Sequence, residues 1–152
     1  MLENFYVATE LSKRNIPNSL LPENFDDDLI IGKKSSAKLG WIQVKACYPD
    51  RSKTFRVGID ECEKRARAEK NEYVAFVWLG SPKGNDRPIY WITHKAEAGR
   101  IGVEYKPKNP NNKERRFAPD VDSTLNPTWK GMRLRRERSN SWDIFGKYKA
   151  YA

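Results

Sequence analysis

Trp41-Ile42-Gln43-Val44-Lys45-Ala46-Cys47 is the stretch on which the fold turns. Side chains of an extended chain alternate between two faces. Ile42, Val44 and Ala46 therefore share one face, and Trp41, Gln43, Lys45 and Cys47 share the other. The first set predicts a strand with one face in a core, and the second places an amide and an ammonium two residues apart on the opposite face. A lysine on a central strand is uncommon and asks for a reason. Just upstream, Leu29-Ile30-Ile31 follows Asp26-Asp27-Asp28, and residues 32–40 between the two apolar runs are polar and begin and end with glycine. Together they predict a hairpin.

Outward from that hairpin the pattern extends both ways. Residues 3–14 read as an amphipathic helix, with Phe5, Ala8 and Leu11 or Ser12 on one face, ended by Asn15, Ile16 and Pro17. Residues 18–25 read as a short strand broken by Pro22, hence an edge or a bulge. Residues 48–58 read as a polar loop. Asp60 and Glu63 form a capping box for a helix running to Glu69 or Lys70. Residues 73–79 (YVAFVWL) form a near-continuous apolar run expected of a strand covered on both faces. Residues 80–87 are a turn, and 88–94 (PIYWITH) the next strand. Gly99 to Asn126 reads as long loops with room for one short strand, and Ser141–Phe145 as a capped terminal helix or docked tail. The order predicts an α/β or α+β domain with a mixed sheet flanked by helices. The core spans about residues 3–95, and a loop-rich basic extension spans about 96–152.

The chain has 152 residues, of which 38% are apolar, which suits one domain with one core. Lys and Arg number 29 against 20 Asp and Glu, a net charge of +9. The excess is lopsided. Residues 1–80 carry 13 basic and 12 acidic side chains, and residues 81–152 carry 16 and 8. A polyanion is the expected partner, gripped by the second half. No run of about 18 apolar residues exists, so no membrane span is expected. The N-terminus lacks the pattern of a secretory signal, and a cytoplasmic location is expected. Cys47 and Cys62 make neither a disulfide framework nor a four-ligand zinc site, and read as small apolar residues. His94 alone excludes chemistry that needs a histidine pair; at a strand end it reads as structural or exposed. Trp78 and Trp91 read as core.

Four residues assemble into one candidate site. Glu10 lies on the first helix, Asp28 opens the second strand, and Gln43 and Lys45 share a face of the third. Strand pairing sets Asp28, as the one acid, against that face. The Asp28 carboxylate, the Gln43 amide oxygen and the Val44 backbone carbonyl are hard oxygen ligands suited to Mg²⁺. A neighbouring lysine orients a water and stabilises charge on a transferring phosphate.

This arrangement resembles the PD-(D/E)XK nuclease superfamily, whose restriction-endonuclease-like core has the order αβββαβ. The matching pieces are Phe5–Leu11 (FYVATEL), Asp28-Leu29-Ile30-Ile31 and Ile42-Gln43-Val44-Lys45. The resemblance covers residues 3–95 and implies metal-dependent hydrolysis of DNA phosphodiesters, of restriction, homing or junction and repair type. It implies Mg²⁺, with Mn²⁺ substituting. Asp28 falls on the metal-ligand position, Lys45 beside the attacking water, and Glu10 on the helix acid. Asp27 occupies the place of the usual proline, and Gln43 stands where the pattern has Glu or Asp. That neutral residue makes the site less negative and predicts weak divalent binding.

Each assignment has a plainer counterpart. Asp28 can end a turn, Lys45 can be a solvated strand residue, Glu10 can pair with Lys13 or Arg14, and Glu3 is the rival helix acid. The basic residues Lys113, Arg115 and Arg116, and then Lys130, Arg133, Arg135, Arg136 and Arg138 near Trp129 and Trp142, are expected to grip the phosphates of double-stranded or branched DNA. Lys53 and Arg56 are expected to reach the same backbone. Cutting two strands with so small a domain implies a homodimer or higher homo-oligomer. The alternatives are a weak or inactive nucleic-acid-binding module on the same fold, and a basic adaptor with no divalent-ion dependence.

Overall fold

The computed structural model describes residues 2–33, 35, 38–47, 57–79, 88–104, 116–117, 120–121, 127–129, 132–133 and 142–150. The order is α1 (Leu2–Lys13), β1 (Asn18–Leu20), β2 (Leu29–Ile31), β3 (Gly40–Cys47), β4 (Val57–Gly58), α2 (Ile59–Ala66), β5 (Glu72–Trp78), β6 (Ile89–His94) and α3 (Lys95–Glu104). The short strands β7 (Arg116–Phe117), β8 (Asp120–Val121), β9 (Pro127–Trp129) and β10 (Met132–Arg133) follow, and then a 3-10 helix, Trp142–Tyr148. The class is α+β, and a five-stranded sheet ordered β1-β2-β3-β5-β6 forms its centre. β3 and β5 run parallel while the other neighbours are antiparallel, so the sheet is mixed as expected. β4 pairs with β7, and β8, β9 and β10 form a small sheet of their own.

α1 stops where its sequence changes character. Asn15 adopts φ 60°, a left-handed conformation that asparagine tolerates better than most residues. The Ile16 N–H then reaches back to the Leu11 carbonyl and the Asn15 N–H to that of Ser12. This Schellman arrangement satisfies the helix's last carbonyls. Pro17 follows, and β1 is over before Pro22, shorter than the predicted 18–25 because a proline there donates no ladder bond.

The alternation of β3 decides the layers. Ile42 and Val44 are buried with Leu29, Ile31, Tyr73, Ala75, Val77, Tyr90 and Ile92 beneath α1 (Val7, Leu11) and the 3-10 helix (Trp142, Phe145, Tyr148). Tyr73 packs edge-on against Phe145, its ring centroid 4.9 Å away, and its hydroxyl meets that of Tyr148 at 3.0 Å. Arg14 stacks over Trp142. The other face of β5 and β6 carries the Phe76–Trp91 ring pair, and from the other face of β3 Gln43 and Lys45 reach toward α2.

Three expectations are corrected. Residues 95–104 form a helix, where the sequence from Gly99 onward, rich in Pro, Asn and charge, predicts loops. Gly99 is the reason: a Cβ there would lie 2.3 Å from Ala66 N and 2.6 Å from the Cys62 carbonyl oxygen. The same glycine that weakens the helical signal lets α3 press directly on the α2 backbone. α2 itself opens at Ile59, one residue before the expected cap Asp60, and stops at Ala66, short of Glu69. The terminal segment is 3-10 and extends to Tyr148.

Candidate functional site

β2 and β3 pair only as far as Leu29 and Ile42. The Asp28 N–H still donates to the Ile42 carbonyl at 2.9 Å, but beyond that point β2 peels away. The exposed edge of β3 is met instead by the Asp28 side chain, whose Oδ2 accepts the Val44 N–H at 2.7 Å. Asn4 of α1 donates to Oδ1 at 3.4 Å. Backbone N–H and C=O of one strand residue point to the same side. The Val44 carbonyl therefore lies on the edge that the Asp28 carboxylate occupies. A strand that ends one residue early thus brings together two of the predicted oxygen donors.

Gln43 and Lys45 leave β3 toward α2, where Glu61 and Arg65 stand one helical turn apart. Arg65 Nη2 donates to Glu61 Oε1 at 2.8 Å and to Gln43 Oε1 at 3.0 Å. Lys45 Nζ lies 3.8 Å from the same Glu61 oxygen. Arg65 is only 3% exposed, and its Nε and Nη1 have no hydrogen-bond partner among the described residues. Burial lowers the guanidinium's proton affinity, and the neighbouring Glu61 carboxylate offsets part of that. Glu61 was absent from the candidate set read from sequence. Its spacing of four to Arg65 is visible there, but that it meets Lys45 is a tertiary fact.

A third group corrects a specific expectation. Asp28 is not the one acid against the Gln43 face. A cleft of about 270 Å³ is lined there by Asp26, Asp27, Gln43, Glu61 and Glu72, with Lys64, Arg65, Arg67 and Lys95. Asp27, not Asp28, enters it: Asp27 Oδ1 lies 2.6 Å from Lys95 Nζ, and Glu72 Oε1 lies 3.6 Å from the same nitrogen. Lys95 is 7% exposed, so its charge is held by those two carboxylates.

Glu10 does not join Asp28. It pairs with Arg14 at 2.5 Å and Lys13 at 3.5 Å. Burial raises its proton affinity, but those two cations outweigh it and hold the carboxyl below its ordinary range. α1 meets Asp28 through Asn4, and Glu10 lies about 9 Å further along the helix axis. Its charge is felt by Tyr90 on β6, two strands beyond β3. The rival acid Glu3 is next to Asn4 in sequence. His94, read as structural or exposed, has its ring 4.9 Å from that of Tyr73 and its Nδ1 3.1 Å from the Lys70 carbonyl oxygen. Of the predicted DNA-gripping residues, Lys53, Arg56, Lys113, Arg115, Lys130, Arg135, Arg136 and Arg138 lie outside the described residues. Arg116 and Arg133 contribute backbone to β7 and β10.

Among the described residues no group of three or more His, Cys, Asp and Glu side chains is placed to hold a metal ion. The donors at the β3 edge are one carboxylate and one backbone carbonyl. Such a set of hard oxygens fits Mg²⁺, which keeps several waters and takes one or two carboxylates together with substrate phosphate. Neither the models of known protein families nor curated protein sequences match this chain. Among the described residues no helix is long and apolar enough to cross a membrane.

Proposed function

We propose that the chain is a Mg²⁺-dependent endonuclease that hydrolyses DNA phosphodiester bonds, with Mn²⁺ able to substitute, on a restriction-endonuclease-like core. The observation that carries this reading is the seating of the Asp28 carboxylate on the β3 edge at Val44, one residue from Lys45. Asp28 and the Val44 carbonyl would hold the ion, which when bound polarises a phosphoryl oxygen and lowers the pKa of a water. Lys45 keeps its ammonium beside Glu61 while remaining partly exposed, so it is positioned yet reachable by a phosphate. Glu61 supplies, from α2, a carboxylate near the β3 position where the sequence has the neutral Gln43. The cationic second half of the chain would follow the DNA backbone, and a second copy would cut the second strand.

A non-cleaving nucleic-acid-binding module is the second reading, favoured by the neutral Gln43. Supercoiled plasmid and a four-way DNA junction, incubated with and without Mg²⁺, distinguish the two. Nicked or linear product that requires Mg²⁺ and disappears in Asp28→Asn supports hydrolysis. Binding without any product supports the module. Cleavage that persists in Asp28→Asn overturns the site assignment.

A further inference from the structure

The sequence pattern offers the Gln43 amide oxygen to a metal, but the surroundings of Gln43 give it a different task. A guanidinium has donors and no acceptor, so the end of the Gln43 amide that faces Arg65 is its oxygen. Arg65 Nη2 takes that oxygen at 3.0 Å and the Glu61 carboxylate at 2.8 Å. A divalent ion on the same oxygen would sit against a buried, permanent positive charge, which is unfavourable where solvent screening is weak. The other end of the amide is an NH₂ group with no partner among the described residues. Gln43 lines the cleft with four carboxylates as well as four cations. Asp26 pairs with Lys64, Asp27 and Glu72 with Lys95, and Glu61 with Arg65 and Lys45, so the donor shares the cleft with Arg67, a cation with no ion pair among the described residues. We propose that Arg65 is a positioning residue that withholds the Gln43 carbonyl from the metal and presents the Gln43 amide N–H₂ to a phosphate oxygen of the nucleic acid. This rests on the nuclease reading of the site, and recasts Gln43 as a substrate-binding residue.

The two idle nitrogens of Arg65 point the same way. Nε and Nη1 are buried without partners among the described residues, and a buried donor left unmade is costly. A carboxylate at position 43 would pair with Arg65 before it paired with a metal.

Three variants test this: Gln43→Glu, Gln43→Met, and Gln43→Glu combined with Arg65→Met. Each is melted in EDTA, titrated calorimetrically with MgCl₂ and MnCl₂, and measured for affinity to a short DNA duplex in EDTA. Gln43→Glu is expected to melt higher than wild type, with divalent affinity within about twofold. Gln43→Met is expected to lose about tenfold in DNA affinity, the scale of one hydrogen bond to a charged group. Adding Arg65→Met to Gln43→Glu frees the carboxylate and tightens divalent binding about tenfold or more. Tightening of that size by Gln43→Glu alone overturns the proposal, as does Gln43→Met binding DNA like wild type. Should the double variant fail to fold, the two single variants still decide. Wild type that binds no divalent ion in the titration sinks the hydrolase reading, while the melting and DNA arms still judge the pairing of Arg65 with Gln43.

Discussion

Asp28 has two tasks that different substitutions separate. Its carboxylate accepts the Val44 N–H where β2 leaves off, so it replaces a missing rung of the sheet as well as offering charge. Asp28→Ala leaves that N–H without its acceptor, at a cost of about 1–3 kcal/mol, and a loss of cleavage in this variant mixes fold with chemistry. Asp28→Asn keeps an acceptor oxygen and removes the charge. It is expected to melt near wild type and yet to cut no DNA; melting curves beside a Mg²⁺-dependent nicking assay check both halves. On the proposed nuclease reading Lys45 stabilises charge at the transferring phosphate, so Lys45→Ala is expected to slow single-turnover cleavage by about 10²-fold, with DNA affinity little changed. Weakened binding with an unchanged single-turnover rate would make Lys45 a plain phosphate clamp.

At the scale of elements, α3 decides how the cleft is closed. Gly99 lets α3 lie on α2 with backbone against backbone. In Gly99→Ala the added methyl meets Ala66 N, the Cys62 carbonyl and the Arg65 carbonyl carbon, none of which can swing away as a side chain can. A loss of about 1–3 kcal/mol or more is expected. Gly146→Ala, where a Cβ meets nothing within 4 Å, is the control, and chemical denaturation of the two reads the difference. The first residue of α3, Lys95, joins α3 to β5 and to the start of β2 through Glu72 and Asp27. Lys95→Met leaves two carboxylates around an apolar tip and is expected to cost about 3–5 kcal/mol. A loss below 1 kcal/mol in the same denaturation experiment would mean that Asp27 and Glu72 find water when the lysine is gone.

For the whole molecule, the aromatic layer beneath α1 is expected to lose part of its stabilising effect at alkaline pH. Burial first, then the charges of Glu10 and Tyr6, push the Tyr90 hydroxyl from its ordinary 10.0 up to about 12, against an opposing effect of Arg14. Burial and the hydrogen bond to Tyr148 push Tyr73 upward too. An unfolded tyrosine ionises near 10.0 while the folded ones keep their protons. The unfolded state therefore releases protons first. The contribution is fully present below pH 10 and is lost as pH rises toward 12. Melting temperature is expected to fall over that window, and Tyr90→Phe to make the fall shallower; an equally steep fall would place the cause elsewhere. The cationic half of the chain sets a second property of the whole. Arg135→Ala with Arg136→Ala is expected to reduce the salt slope of duplex binding by roughly 2, since each phosphate neutralised contributes about 0.9. An unaltered slope would assign those residues to solvent or to another contact.

Much of this was legible in the chain alone, because period-2 and period-3.6 patterns report one-sided burial directly. They place α1, β2, β3, β5 and β6, and they put Gln43 and Lys45 on one face of β3. Charge counting locates the cationic half. What local pattern could not carry is whatever depends on a distant surface. α3 is a helix because Gly99 fits against α2, a close approach that a single sequence records only as a helix-weakening residue. Asp27 rather than Asp28 enters the cleft because the chain leaves the β ladder at that point, and alternation has no force outside a ladder. Glu61 meets Lys45, and Arg65 takes the Gln43 oxygen, because the segment from β3 to β5 folds α2 back over the sheet. Composition and alternation thus say which residues are available for chemistry and on which strands they lie. Which of them meet is settled in three dimensions, since contact between residues far apart in the chain is set by packing rather than by any local preference.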